Sequence, residues 1–132
     1  MDQASLVTEE IEAGAELVRR LEKALPVQAA FWVKDSEGGP WYLYVASDQL
    51  RSGELDAAYR EILRLTWEMA SPYLDAMQVK LVPASDPIAQ AALEINHRFP
   101  GRIPARLGGT TFGGMGVDGL YVYPASITSA VP

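Results

Sequence analysis

Cysteine is absent from this chain of 132 residues, and histidine occurs once, as His97. Without cysteine the protein has no disulfide, no thiolate nucleophile and no cysteine-ligated zinc. Any metal site would need mainly oxygen ligands. The glycines match neither the P-loop nor the dinucleotide-binding fingerprint. The sequence therefore predicts neither a metal nor a cofactor.

A long apolar run and a basic leader are also missing. No stretch approaches the roughly 18 apolar residues of a membrane span, and the chain opens Met1-Asp2 without a basic or apolar leader. We therefore expect a cytoplasmic protein with no membrane contact. The formal net charge is -6. Because phosphate contacts need a concentrated positive surface, a nucleic-acid partner is not expected.

The composition is that of one soluble globular domain. Hydrophobic residues make up 48% and charged residues 21% of the chain. A chain of this length buries about two-thirds of its unfolded surface, so residues 1–132 are expected to form a single core. The tail from Pro124 to Pro132 is small and polar, and we expect it to pack loosely.

The hydrophobic spacing alternates between the periods of helices and strands. Three helices are predicted, over Ser5–Leu25, over Gly53–Ala70 and from Asp86-Pro87 to Phe99. Five strands are predicted, over Val27–Lys34, Trp41–Ser47, Met77–Pro83, Arg102–Leu107 or beyond, and Leu120–Tyr123, with part of the stretch around Thr110–Phe112 also a strand candidate. The order α-β-β-α-β-α-β-β predicts an α+β fold with a mixed, roughly five-stranded sheet and three helices.

No acid lies between Glu94 and Asp118, although the chain as a whole is acidic. Arginines beside glycine turns can hold a phosphate or a carboxylate, and His97 is a candidate for proton transfer. The candidate ligand-binding residues are Arg98, Arg102, Arg106, Gly108, Gly109, Gly113 and Gly114. The competing interpretation is that the glycines permit tight turns, the arginines are solvated, and His97 is a surface residue at a helix end.

Leu63 and Trp67 form an apolar pair, four residues apart, outside the main stripe of the second predicted helix. If that stripe faces the sheet, the pair points elsewhere. It then packs under another helix or forms a subunit contact. The aromatic residues Trp32, Trp41, Tyr42, Tyr44 and Tyr59 are predicted to be core rather than the lining of a ligand pocket.

Gln78-Val79-Lys80 resembles the end of a metal-dependent nuclease motif, in which an acid and a lysine flank a variable residue. That chemistry needs at least two carboxylates on Mg²⁺ and a lysine near the attacking water. Glutamine stands here in place of the acid. The competing interpretation is an edge or outward-facing strand with ordinary polar residues.

The segments Ala29-Ala30-Phe31-Trp32, Tyr42–Ser47 and Gly119–Tyr123 resemble a loosely defined group of small, uncharacterised bacterial α+β proteins. The shared pattern is an apolar-aromatic strand, a turn, a strand ending in Ala-Ser, and a closing Gly-x-Tyr-x-Tyr strand. The resemblance implies the fold and carries over no activity.

The sequence favours a non-enzymatic, homo-oligomeric module that acts through protein contacts, with itself or another protein as partner. The alternative is an enzyme or sensor that binds a small phosphorylated or nucleotide-like anion at the arginine- and glycine-rich hairpin near the C-terminus. A Mg²⁺-dependent nuclease at Lys80 is the third hypothesis.

Overall fold

The computed structural model describes residues 6–50, 54–98 and 110–124. The helices and strands of these residues follow one another in the predicted order α-β-β-α-β-α-β-β, with a 3-10 turn over Ala76–Gln78 before the third strand. They are α1 (Thr8–Leu21), β1 (Ala29–Asp35), β2 (Trp41–Ser47), α2 (Leu55–Met69), β3 (Val79–Pro83), α3 (Pro87–Arg98), β4 (Thr110–Phe112) and β5 (Met115–Val122).

The five strands form one mixed sheet in the order β3-β2-β1-β5-β4. β1 and β2 are an antiparallel hairpin in which Ala29 lies opposite Ala46 and Lys34 opposite Trp41. β2 and β3 are parallel, since α2 carries the chain back across the sheet between them. β5 lies between β1 and β4 and is antiparallel to both. The predicted α+β fold is confirmed.

Both faces of the sheet are covered, because the central strands alternate apolar side chains to both sides. On one face, Trp32 and Leu43 pack in a core with Leu17 of α1 and Ile62 of α2. On the other face, the side chains of α3 cover the apolar residues of β1 and β5. The second core consists of Ala29, Phe31, Val33, Ala46, Ile88, Ala89, Ala92, Phe112, Val117, Leu120 and Val122.

Some boundaries differ from those predicted. α1 ends at Leu21 rather than Leu25, because the Glu22 carboxylate accepts a hydrogen bond of 2.9 Å from the Val27 backbone N–H. β5 begins at Met115 rather than Leu120, since it pairs along β4. The strand predicted over Arg102–Leu107 and the tail after Pro124 lie outside the described residues. None of the helices in the described ranges is long and apolar enough to cross a lipid bilayer.

Candidate functional site

The outer face of α2 carries the most exposed aromatic side chain among the described residues. The helix buries Ala58, Ile62 and Leu65 against the sheet and α1. Leu63 and Trp67 follow the helical period on a different side, so they point away from that core. Leu63 is 56% exposed and Trp67 is 83% exposed. The predicted pair therefore lies at the surface of the molecule.

A groove opens beside Trp67, where α2 ends. Ala70 ends the helix in the left-handed conformation, with φ 51° and ψ 34°, and its N–H donates to the Thr66 carbonyl at 3.0 Å. The chain then turns through Ser71-Pro72 and runs along the end of the helix. The resulting cavity has a volume of about 510 Å³. Its lining is Glu10, Leu63, Thr66, Trp67, Ser71, Pro72, Tyr73, Leu74, Asp75, Ala76 and Gln78.

Two further apolar side chains lie exposed near this groove, which we call the Trp67 groove. Tyr73 is 43% exposed and lines it, and Met77 is 80% exposed on the adjoining 3-10 turn. We call Leu63, Trp67, Tyr73 and Met77 together the Trp67 patch. The sequence prediction missed Tyr73 and Met77. The available signal was the Ser71-Pro72 turn directly after the helix, which places the next residues beside its last turn.

Most polar side chains of the groove are engaged in local hydrogen bonds. The Glu10 carboxylate accepts from the Val7 N–H at 3.0 Å, and the Thr66 hydroxyl donates to the Ile62 carbonyl at 2.9 Å. The Ser71 hydroxyl accepts from the Tyr73 N–H, and the Asp75 carboxylate accepts from the Met77 N–H. Gln78 accepts from the Asp75 N–H and donates to the Trp41 carbonyl. A ligand in this groove therefore meets exposed apolar side chains beside polar groups that already have a local hydrogen-bond partner.

A network of ion pairs lies behind the groove, between α1 and α2. Arg20 pairs with Glu16 at 2.8 Å and with Glu68 at 3.7 Å, which links the two helices. Arg64 pairs with Glu61 and, at 2.8 Å, with Glu68. The hydrogen bond from Arg20 is the largest of the effects that lower the pKa of Glu16, and that from Arg64 lowers the pKa of Glu61. Arg19 also pairs with Glu16, at 3.1 Å, so that three arginines balance three glutamates within this network.

The predicted anion site is described only in part. His97 and Arg98 lie exposed at the end of α3, and Arg98 pairs with Glu94 at 3.0 Å. Arg102, Arg106, Gly108 and Gly109 lie outside the described residues. Whether the predicted arginines converge therefore lies outside the described residues, and the site stays a prediction.

Gly113 and Gly114 form the two-residue turn between β4 and β5. Phe112 and Met115 are paired on either side of them, and φ is 60° at Gly113 and 86° at Gly114. Positive φ at both central residues is the geometry of a tight type I′ hairpin turn, which favours glycine. At these two positions the conformation of the backbone accounts for the glycines.

Trp32 and Trp41 are buried in the core, as predicted, whereas Tyr42, Tyr44 and Tyr59 are half-buried. Lys80 is exposed on β3, and its Nζ lies 4.5 Å from the centroid of the Tyr42 ring. Over residues 6–50, 54–98 and 110–124, no group of three or more histidine or acidic side chains is placed to hold a metal ion. The nuclease hypothesis gains no observation in its favour.

Comparison with known proteins gives a partial similarity to one class of enzyme. The chain is 28% identical over 94 residues to histidine ammonia-lyase from Bos taurus and, to the same extent, to that from Homo sapiens. The similar segment covers 69% of this chain but only 14% of each enzyme. The chain thus spans a small part of the length of these relatives. No protein-family model and no solved structure matches.

Proposed function

We propose that this chain is a non-enzymatic protein-interaction module whose contact surface is the Trp67 patch. The observation that carries the proposal is the 83% exposure of Trp67 on a helix that is otherwise anchored in the core. A tryptophan buries roughly 150–250 Å² on contact, and apolar burial stabilises by about 25 cal/mol per Å². An uncovered indole is therefore a strong anchor for a partner.

The composition of the patch supports a protein partner over a small polar ligand. Tryptophan and tyrosine are among the residues most enriched at the energetic centres of protein interfaces, and methionine is also enriched there. Five polar side chains of the groove already hydrogen-bond locally (Glu10, Thr66, Ser71, Asp75 and Gln78). The exposed apolar side chains then anchor the partner, and the carboxylates of Glu10 and Asp75 can still meet a positive charge at the rim.

The similarity to the ammonia-lyases fits a module better than a complete enzyme. The matched segment makes up 14% of those proteins, so a related sequence occurs there as one part of a longer chain. We do not extend the lyase activity to this chain, because the similarity covers too little of the enzymes to include their whole catalytic machinery.

The anion-binding alternative rests on arginines that the structure does not describe, and Arg98 is already paired with Glu94. A thermal-shift screen with nucleotides and inorganic phosphate at low salt separates the two functions. The interaction module predicts no stabilisation. Stabilisation that is lost in the Arg102→Ala/Arg106→Ala variant would favour the anion site instead.

Site-specific photo-cross-linking tests the proposed surface directly. A photoreactive amino acid at Leu63, in the protein expressed in its source cells, is expected to form a cross-link to protein because Leu63 borders the groove. Adding Trp67→Ser to the same chain should abolish the cross-link, since the anchor is lost.

The matched control places the photoreactive group at Glu94, which is exposed on α3 on the opposite side of the sheet. It should give no cross-link that depends on Trp67. The proposal is refuted if Leu63 yields no protein cross-link, or if its cross-links persist unchanged in the Trp67→Ser chain.

A further inference from the structure

The Trp67 patch combines a projecting side chain with an empty groove on one continuous surface. Trp67 is 83% exposed, and it also forms part of the wall of the 510 Å³ groove. Pockets of roughly 300–1,000 Å³ hold ligands larger than one indole, so the groove has room for a tryptophan side chain. A surface that offers both the knob and the hole can fit a second copy of itself.

The charges at the two ends of the patch have opposite sign. Arg60 lies three residues before Leu63 and seven before Trp67, on the same exposed face of α2. Among the described residues no acid forms an ion pair with Arg60. Glu10 and Asp75 lie at the opposite end, in the lining of the groove. The patch therefore runs from a cation, through apolar side chains, to two carboxylates.

We propose that the occupant of the Trp67 groove is a second copy of this chain, in a two-fold symmetric dimer. This inference rests on the proposed function and names its partner. A two-fold axis pairs each end of a surface with the other end of the same surface. With the two α2 helices antiparallel, Trp67 of each copy enters the groove of the other. Arg60 of each copy then faces the carboxylates of Glu10 and Asp75.

The expected dimer is reversible. A stable interface buries about 800 Å² on each partner. The Trp67 patch is centred on a few large side chains with a charged rim, so most of the binding energy would come from a small number of contacts. Because association also costs translational and rotational freedom, the dissociation constant is expected to be on the order of micromolar. The dimer should form and dissociate across an accessible range of concentration.

Sedimentation equilibrium from micromolar to millimolar concentration tests the dimer. The wild-type chain should shift from the monomer mass of 14.4 kDa to twice that mass. Trp67→Ser removes two anchors per dimer and should weaken association by roughly a hundredfold or more. The control Leu55→Ser also replaces an exposed apolar residue of α2, but it lies about 18 Å along the helix from Trp67 and should leave association unchanged.

A charge exchange tests the orientation of the two copies. Arg60→Glu and Glu10→Lys should each weaken the dimer by roughly tenfold, since each places like charges face to face. The double variant restores opposite charges at both ends and should regain most of the affinity. Rescue of this kind cannot arise from a loss of helix stability in the Glu10→Lys chain. The control for Arg60→Glu is Lys23→Glu. It changes the net charge by the same amount, at a position beyond the C-terminal end of α1.

Two results would overturn the inference: a wild-type chain that stays monomeric at millimolar concentration, or a dimer that Trp67→Ser leaves intact. These results are separate from a failure of the proposed function. If the chain is monomeric while Leu63 still cross-links to a different protein through Trp67, the module stands and its partner is not a second copy.

Discussion

At the scale of single residues, Gly14 is a position where the backbone of α1 lies directly against the side chains of Trp32 and Tyr123. The Tyr123 hydroxyl donates to the Ile11 carbonyl and accepts a hydrogen bond of 2.9 Å from Trp32 Nε1. A Cβ at position 14 would collide with this hydroxyl and lie 3.1 Å from Trp32 Nε1. Glycine in the middle of this helix is therefore explained by contact rather than by helix propensity.

We predict that Gly14→Ala destabilises the protein, although alanine is the better helix former by about 1 kcal/mol. Overpacking of a tight contact costs roughly 1–3 kcal/mol, so the net loss in urea unfolding should be up to about 2 kcal/mol. The loss should shrink in a Tyr123→Phe background, because the colliding hydroxyl is gone. A Gly14→Ala chain that is more stable than wild type in both backgrounds would contradict this packing.

The buried phenol of Tyr123 should make the stability of the protein depend on pH in the alkaline range. Burial is the largest cause that raises the pKa of its phenol. A raised folded pKa contributes stability that is complete below the unfolded value of about 10 and is lost as the pH rises from there toward the folded value. The free energy of unfolding should therefore fall above pH ~10, and less steeply in Tyr123→Phe. Equal slopes for the two proteins would exclude this linkage.

At the scale of secondary-structure elements, the turn between β4 and β5 packs on the first turn of α3. The Asp86 carboxylate accepts a hydrogen bond of 3.0 Å from the Ile88 N–H and so caps that helix. A Cβ at Gly113 would collide with the Ile88 backbone, whereas one at Gly114 would meet nothing within 4 Å. The two glycines share a positive φ but differ in their surroundings.

This difference predicts unequal effects of two matched substitutions. Gly114→Ala should cost about 1–2 kcal/mol, the strain of an alanine in the left-handed region. Gly113→Ala should cost at least about 1 kcal/mol more, because the helix backbone must move as well. Thermal unfolding of both variants measures the two costs. Equal costs for Gly113→Ala and Gly114→Ala would contradict the close contact between Gly113 and the Ile88 backbone.

The elements could largely be predicted from the sequence, because their signals are local. Asp86 caps α3 and Pro87 is its first helical residue. A capping residue followed by proline marks the start of a helix in the sequence. The hairpin of β1 and β2 follows from period-two alternation around a glycine turn. The predicted end of α1 was wrong by four residues, because the hydrogen bond between the Val27 N–H and the Glu22 carboxylate, five residues apart, leaves no mark in the hydrophobic spacing.

The candidate site was less predictable, because its parts come together only in the folded chain. The spacing of Leu63 and Trp67 indicated that both lie off the buried stripe, but only the folded chain shows the groove beside them. The chain turns into that groove through Ala70, whose left-handed conformation the sequence does not indicate because the residue is not a glycine. Arg60 stood out only when its face of the helix was seen to be the exposed one.

At the scale of the whole molecule, both sheet faces and the inner sides of the helices are occupied, while the outer side of α2 is not. The two cores account for Trp32 and Trp41, which are 0% and 4% exposed. Trp67 has no place in either core. A chain with a net charge of -6 that still presents an uncovered indole fits a module that meets other protein at that point.

Acrylamide quenching of tryptophan fluorescence tests this central claim most directly. The difference between wild type and Trp67→Phe isolates the signal of Trp67 from those of the buried Trp32 and Trp41. In dilute solution Trp67 should be freely quenched. At concentrations where the chain associates, or once its partner is bound, the quenching should fall toward that of a buried residue. A Trp67 that remains equally accessible at every concentration and in the presence of source-cell proteins would contradict the account.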